Sequence, residues 1–71
     1  MRDGKVFQSS MIQSGSYDSA TQTLELTFMN GDVYTAEDVP PSVWEALKQA
    51  SSPGRHFHQV LRPLGFNFTK S

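Results

Sequence analysis

"TLELTFMNGDVYTA", residues 23–36, decides the fold. Leu24, Leu26 and Phe28 alternate with Glu25 and Thr27, the period-2 pattern of a strand with one buried face. Asn30-Gly31 marks a hairpin turn, because both residues tolerate positive φ. "VYTA", residues 33–36, returns as the partner strand. Loop length sets where Tyr34 points. A two-residue loop puts Phe28 opposite Val33 and sends Tyr34 to the other face. A three-residue loop with Gly31 in the left-handed conformation gathers Leu24, Leu26, Phe28, Tyr34 and Ala36 on one face. The second option buries more apolar area on one side, and register follows the buried face.

Upstream, "SSMIQSGSY" (9–17) is a weaker strand that Gly15 interrupts, and "DSATQ" (18–22) is a turn. Downstream, Val39 and Pro40-Pro41 end the strand and open a helix, since proline suits a first helical turn. Ser42 and Glu45 have capping-box spacing. Val43, Ala46, Leu47 and Ala50 predict one buried helical stripe with Trp44 beside it. Ser52-Pro53-Gly54 breaks that helix. Phe57, Val60 and Leu61 mark a second helix, which Pro63 and Gly65 stop. The expected architecture is a two-layer α+β domain over residues 9–62: a three-stranded antiparallel β-meander followed by two short α-helices. A flexible N-terminus is expected over 1–8. Residues 63–71 are a C-terminal tail or short edge strand in which Phe66 and Phe68 alternate with polar residues.

A chain of 71 residues holds one small domain, monomeric or a weak homodimer. It buries only about 60% of its unfolded surface, too little to enclose a large substrate cavity. There is no cysteine, which points to a reducing, cytoplasmic setting. "MRDGKVFQSSMIQ" lacks an apolar core of signal-peptide length, and no stretch could span a membrane. Net charge is −1 but segregated. Residues 1–45 carry two basic and seven acidic side chains, whereas 46–71 carry Lys48, Arg55, Arg62, Lys70 and no acid. Such asymmetry suits an anionic partner, or simply acidic strands attracting basic helices within one domain.

No catalytic signature is present. Ser, His and Asp occur without a G-x-S-x-G elbow. His56 and His58 diverge on a helix and have no acidic residue in their half of the chain, so no metal or cofactor is expected. Asp18, Asp32, Glu37 and Asp38 fall in turns and strand ends, where turn capping explains them. Tyr17 and Tyr34 are strand aromatics that either edge the core or stack on unpaired bases.

These segments together resemble the KTSC domain, a module found at the C-terminus of some lysyl-tRNA synthetases and alone in bacterial and phage proteins. The resemblance covers about residues 9–62. It rests on Ser9-Ser10 before Ile12, Tyr17-Asp18, Phe28 and Gly31 in an F-x-x-G turn, Tyr34, Val39-Pro40, and Ser52, Gly54 and Phe57. The family's Y-x-Y motif reads Tyr34-Thr35-Ala36 here, so one aromatic is missing. The resemblance implies a small non-catalytic module with a suggested role in RNA binding. The expected RNA or single-stranded nucleic-acid contacts are Tyr34, Lys48, Arg55, His56, His58 and Arg62. The alternative is an interaction module that binds a host protein through Asp32, Glu37, Asp38 and Trp44.

Overall fold

The computed structural model describes residues 2–70. It is α+β, with five strands where the sequence predicts three. The strands are β1 (Arg2–Val6), β2 (Ile12–Asp18), β3 (Thr23–Phe28), β4 (Val33–Ala36) and β5 (Phe68–Lys70). They form one antiparallel sheet in the order β1-β2-β3-β4-β5. Between β4 and β5 the chain makes α1 (Pro41–Gln49) and α2 (Pro53–His56), the latter continuing as a π-helical turn over Phe57–Leu61. The two extra strands lie at the sheet edges. β1 is exposed at all five positions, so it has no alternation to read, and β5 is only three residues long. Arg2–Val6, expected to be flexible, is paired along β2 from Arg2↔Asp18 to Val6↔Ser14. The C-terminal segment takes the edge-strand form of its two expected alternatives.

The β3–β4 hairpin has the three-residue loop. Leu26 faces Tyr34 and Leu24 faces Ala36. Phe28 N–H donates to Asp32 O at 2.8 Å, and Gly31 N–H donates to Phe28 O at 2.9 Å with Gly31 at φ 94°. Tyr34 therefore shares the helix-facing side with Leu24 and Leu26. The opposite face carries Ser16, Glu25, Thr35 and Thr69 in one cross-strand row.

Strand β2 contains a bulge between Ile12 and Ser14. Ile12 and Gly15 are three residues apart and would point to opposite faces of a regular strand. The bulge resets the alternation, so both are buried. Gly15 then lies beneath Trp44. A Cβ there would sit 3.1 Å from the indole, 3.1 Å from Phe7 and 3.0 Å from Leu26. The indole stacks on Tyr17 (centroids 6.1 Å, 16°) and meets the Phe7 ring edge-on at 6.3 Å. The Tyr17 hydroxyl donates to the Val39 carbonyl, which ties the β4–α1 linker to the sheet. Burial pushes that hydroxyl's pKa above its ordinary 10.0, with the nearby Asp18 charge adding to the shift.

Helix α1 departs from the expected stripe and cap. Trp44 and Leu47 are its buried residues, while Ala46 is exposed. The capping box does not form. Pro41 occupies the first turn and holds Pro40 extended (ψ 149°) as the N-cap residue, so the helix starts before Ser42. Glu45 instead pairs with Lys48 at 3.0 Å. The second helical segment buries Phe57 and Leu61. Val60 is 41% exposed, because the wider π turn rotates it away from the sheet.

The edge strand β1 is fastened to α1 by side chains. Asp3 Oδ2 accepts from Trp44 Nε1 at 2.8 Å and from Lys48 Nζ at 2.6 Å. Lys5 Nζ donates to Lys48 O at 2.9 Å. The Lys48 ammonium and then the indole N–H hold the Asp3 carboxyl below its ordinary 3.8. Asp3 and then Glu45 hold Lys48 above its ordinary 10.5. A depressed carboxyl stabilises the fold above its unfolded pKa, and that contribution is lost as pH falls through the folded value.

Two predictions follow from this packing. Gly15→Ala forces the indole or Leu26 to move and should cost about 1–3 kcal/mol in urea unfolding, with an unchanged m-value. An unchanged midpoint would show that Trp44 does not rest on Gly15. Asp3→Ala should lower the urea midpoint near neutral pH. The gap from wild type should close as pH drops below about 3.8, where Asp3 protonates. A gap independent of pH would show that the contact is not ionic.

Candidate functional site

The helix layer does not cover the whole sheet. Beyond Leu26 the covered face opens into a groove of about 590 Å³ between the β3–β4 hairpin, the π-helical turn and β5. Its floor is a chain of aromatic rings packed edge to face. Tyr34 meets Phe28 (5.3 Å, 80°), Phe28 meets Phe57 (5.3 Å, 79°) and Phe57 meets Phe68 (5.3 Å, 64°). Phe57 is buried, whereas Phe28, Tyr34 and Phe68 are half-buried and show part of each ring to the groove. Half-buried Phe66 and exposed Asn67 form one wall.

Local structure sets the rims. On the helical side, Arg62 N–H donates to Phe57 O at 3.0 Å, the i→i−5 bond of the π turn. Pro63 follows, and the turn closes with Gly65 N–H on Arg62 O at 3.1 Å and Gly65 at φ 83°. Arg62 and His58, both exposed, line the groove on this side. On the hairpin side stand Asn30 and Asp32. Asn30 Oδ1 accepts from Asp32 N–H at 2.9 Å, and Asn30 Nδ2 donates to Asp32 Oδ2 at 3.1 Å. The Lys70 ammonium lies 3.4 Å from Asp32 Oδ1. The groove thus has an aromatic floor, a guanidinium and an imidazole on one rim, and a carboxylate held by an amide and an ammonium on the other.

Of the six expected nucleic-acid contacts, Tyr34, His58 and Arg62 meet at this groove. Lys48, Arg55 and His56 lie outside it. Lys48 is engaged with Asp3 and Glu45 at the opposite end of the sheet. Arg55 and His56 end α2, where Arg55 is exposed and His56 half-buried. Of the alternative set, Trp44 is 2% exposed and offers no interface anchor. Glu37 and Asp38 are exposed on the bend after β4, beside a second depression of about 710 Å³ that shares the Phe66–Asn67 wall. Asp32 belongs to the groove. In the sequence Phe28 and Phe57 stand as core and family positions, not as groove residues, and Asn67 carries no signal. The alternation of Phe66 and Phe68 points to an edge strand or an ordered tail on the core, not to a groove wall. Among the described residues no three His, Cys, Asp or Glu side chains group as a metal site. No described helix is long and apolar enough to cross a membrane.

Residues 8–66 match the model of the KTSC domain family. The chain is 46% identical over 61 residues to an uncharacterized protein of Stutzerimonas stutzeri, covering 86% of each. It is 44% identical over 55 residues to a lysine–tRNA ligase of Nostoc punctiforme, and this match covers 78% of the chain but 10% of the ligase. A crystal structure of a KTSC domain protein from Yersinia pestis superposes with a TM-score of 0.87 at 29% identity, covering 100% of this chain and 99% of that one. Family model, relatives and fold agree: the chain belongs to the KTSC domain family.

Proposed function

We propose that this domain is a non-catalytic module that binds single-stranded RNA in the groove between the β3–β4 hairpin and the π-helical turn. The carrying observation is the meeting of Tyr34, His58 and Arg62 around a partly exposed aromatic floor. Unpaired bases gain about 1–3 kcal/mol each by stacking on aromatic rings, and phosphates are met by arginine. The missing second tyrosine of the Y-x-Y motif does not empty the floor. Ala36 is fully buried, so its position faces the core, and Phe28 and Phe66 supply the accessible rings. The open face of the sheet, with Ser16, Glu25, Thr35 and Thr69 in one row, has no comparable platform. A matching domain within a lysine–tRNA ligase suits a role beside RNA. The host-protein alternative loses its anchor with Trp44 in the core. In this reading the module works in the cytoplasm.

A single groove guanidinium, Arg62, implies weak, mildly salt-dependent binding. Log K should fall with log salt at a slope of about −0.7 per phosphate neutralised. In an NMR titration with short single-stranded RNA at low salt, the amides of Tyr34, His58 and Arg62 should shift. Arg62→Ala should weaken binding about 3- to 10-fold and flatten the salt slope, while Arg55→Ala should change little. Shifts confined to residues outside the groove, or none, would rule the reading out.

A further inference from the structure

The hairpin rim of the groove carries a feature that general single-strand binding does not use. Asp32 is a carboxylate with 30% of its side chain accessible, set beside aromatic rings. Its orientation is held by two neighbours. Asn30 Nδ2 occupies one lone pair of Oδ2 at 3.1 Å, and the Lys70 ammonium sits 3.4 Å from Oδ1. Each carboxylate oxygen has a second lone pair. The side chain can therefore accept two parallel hydrogen bonds from a ligand in the groove. An ionised carboxylate donates nothing, so it sorts bases by the donors on their edges.

We propose that the groove selects an unpaired guanine, with the Asp32 carboxylate as its specificity-determining group. This inference rests on the nucleic-acid reading above. Guanine presents two adjacent donors on its pairing edge, the ring N1–H and the exocyclic N2 amino group, which match the two carboxylate oxygens. Cytosine and adenine each present one amino group beside a ring-nitrogen lone pair, which repels a carboxylate. Uracil has one N–H between two carbonyls, so both neighbours are repulsive. The base lies against the exposed edges of Phe28, Tyr34 and Phe66, and the following phosphate faces Arg62 across the groove. The Lys70 ammonium, 3.4 Å from Oδ1, offsets the repulsion between the Asp32 carboxylate and the RNA backbone.

The test uses the full chain and three labelled U-rich hexanucleotides that differ only at one central base: guanine, hypoxanthine or uracil. Hypoxanthine keeps N1–H but lacks the amino group, so the ligand series needs no change in the protein. Fluorescence anisotropy should give about tenfold tighter binding for guanine than for uracil, with hypoxanthine between them. Asp32→Asn, which replaces one acceptor oxygen by a donor, should bring the guanine and uracil constants within about twofold. Arg62→Ala should weaken all three alike. Equal affinity for the three strands, still reduced by Arg62→Ala, would overturn the guanine assignment and leave the single-strand reading standing. Binding of none of them would overturn both.

Discussion

The structure depends on one contact, the Trp44 indole lying on the sheet over Gly15. A side chain at position 15 would hold the helix away from the strands. Glycine lets the ring rest on the β2 backbone, where Tyr17 stacks beside it and Phe7 closes the edge. The same indole reaches Asp3 through its N–H and so fastens the polar edge strand β1. Tyr17, in turn, fixes the linker into α1 through Val39. One aromatic thus joins an edge strand, a central strand and the first helix. In a chain this small no second core exists to compensate for its loss.

That arrangement concentrates the tight packing at one end of the domain and leaves the other end looser. Around Trp44, buried side chains fill the space between helix and sheet. Around Phe57, rings meet edge to face and part of their surface stays open. The π-helical turn widens the helix where it crosses the end of the sheet, and the hairpin and β5 build a wall opposite. The groove follows from this taper. Its polar rims come from elements with separate structural duties: a hairpin Asx pair, a helix terminus and an edge strand.

Much of this was legible in the residues. The alternation of 24–28, the Asn-Gly turn and the Pro-Pro junction give two strands and a helix in the right order. The choice of a three-residue hairpin loop follows from apolar area alone. The edge strand β1 escaped notice because an exposed strand such as Arg2–Val6 needs no alternation, whereas the alternation of Phe66 and Phe68 left an edge strand as one of two alternatives for the tail. The bulge in β2 hid in the same way, since it breaks the very period by which strands are recognised. At the site, Tyr34, His58 and Arg62 stood out by residue type. Lys48 and Arg55 stood out equally, because a sequence does not say which cation already has a partner, as Lys48 does, or lies away from the groove, as Arg55 does.

By itself, the sequence determined the class of the fold and favoured one face for Tyr34, since both follow from local periodicity and turn chemistry within a few residues; the pairing of Leu26 with Tyr34 settled that face. Tertiary structure decided what that face became. It chose the core over the interface alternative for Trp44, turned an apparent strand-breaking glycine into the seat of the main aromatic contact, and drew Lys48 into an ion pair with Asp3, 45 residues away. It also brought Phe66 and Phe68 from the tail back beside the central hairpin. Those outcomes depend on contacts between distant segments, whose geometry exists only once the chain has closed on itself.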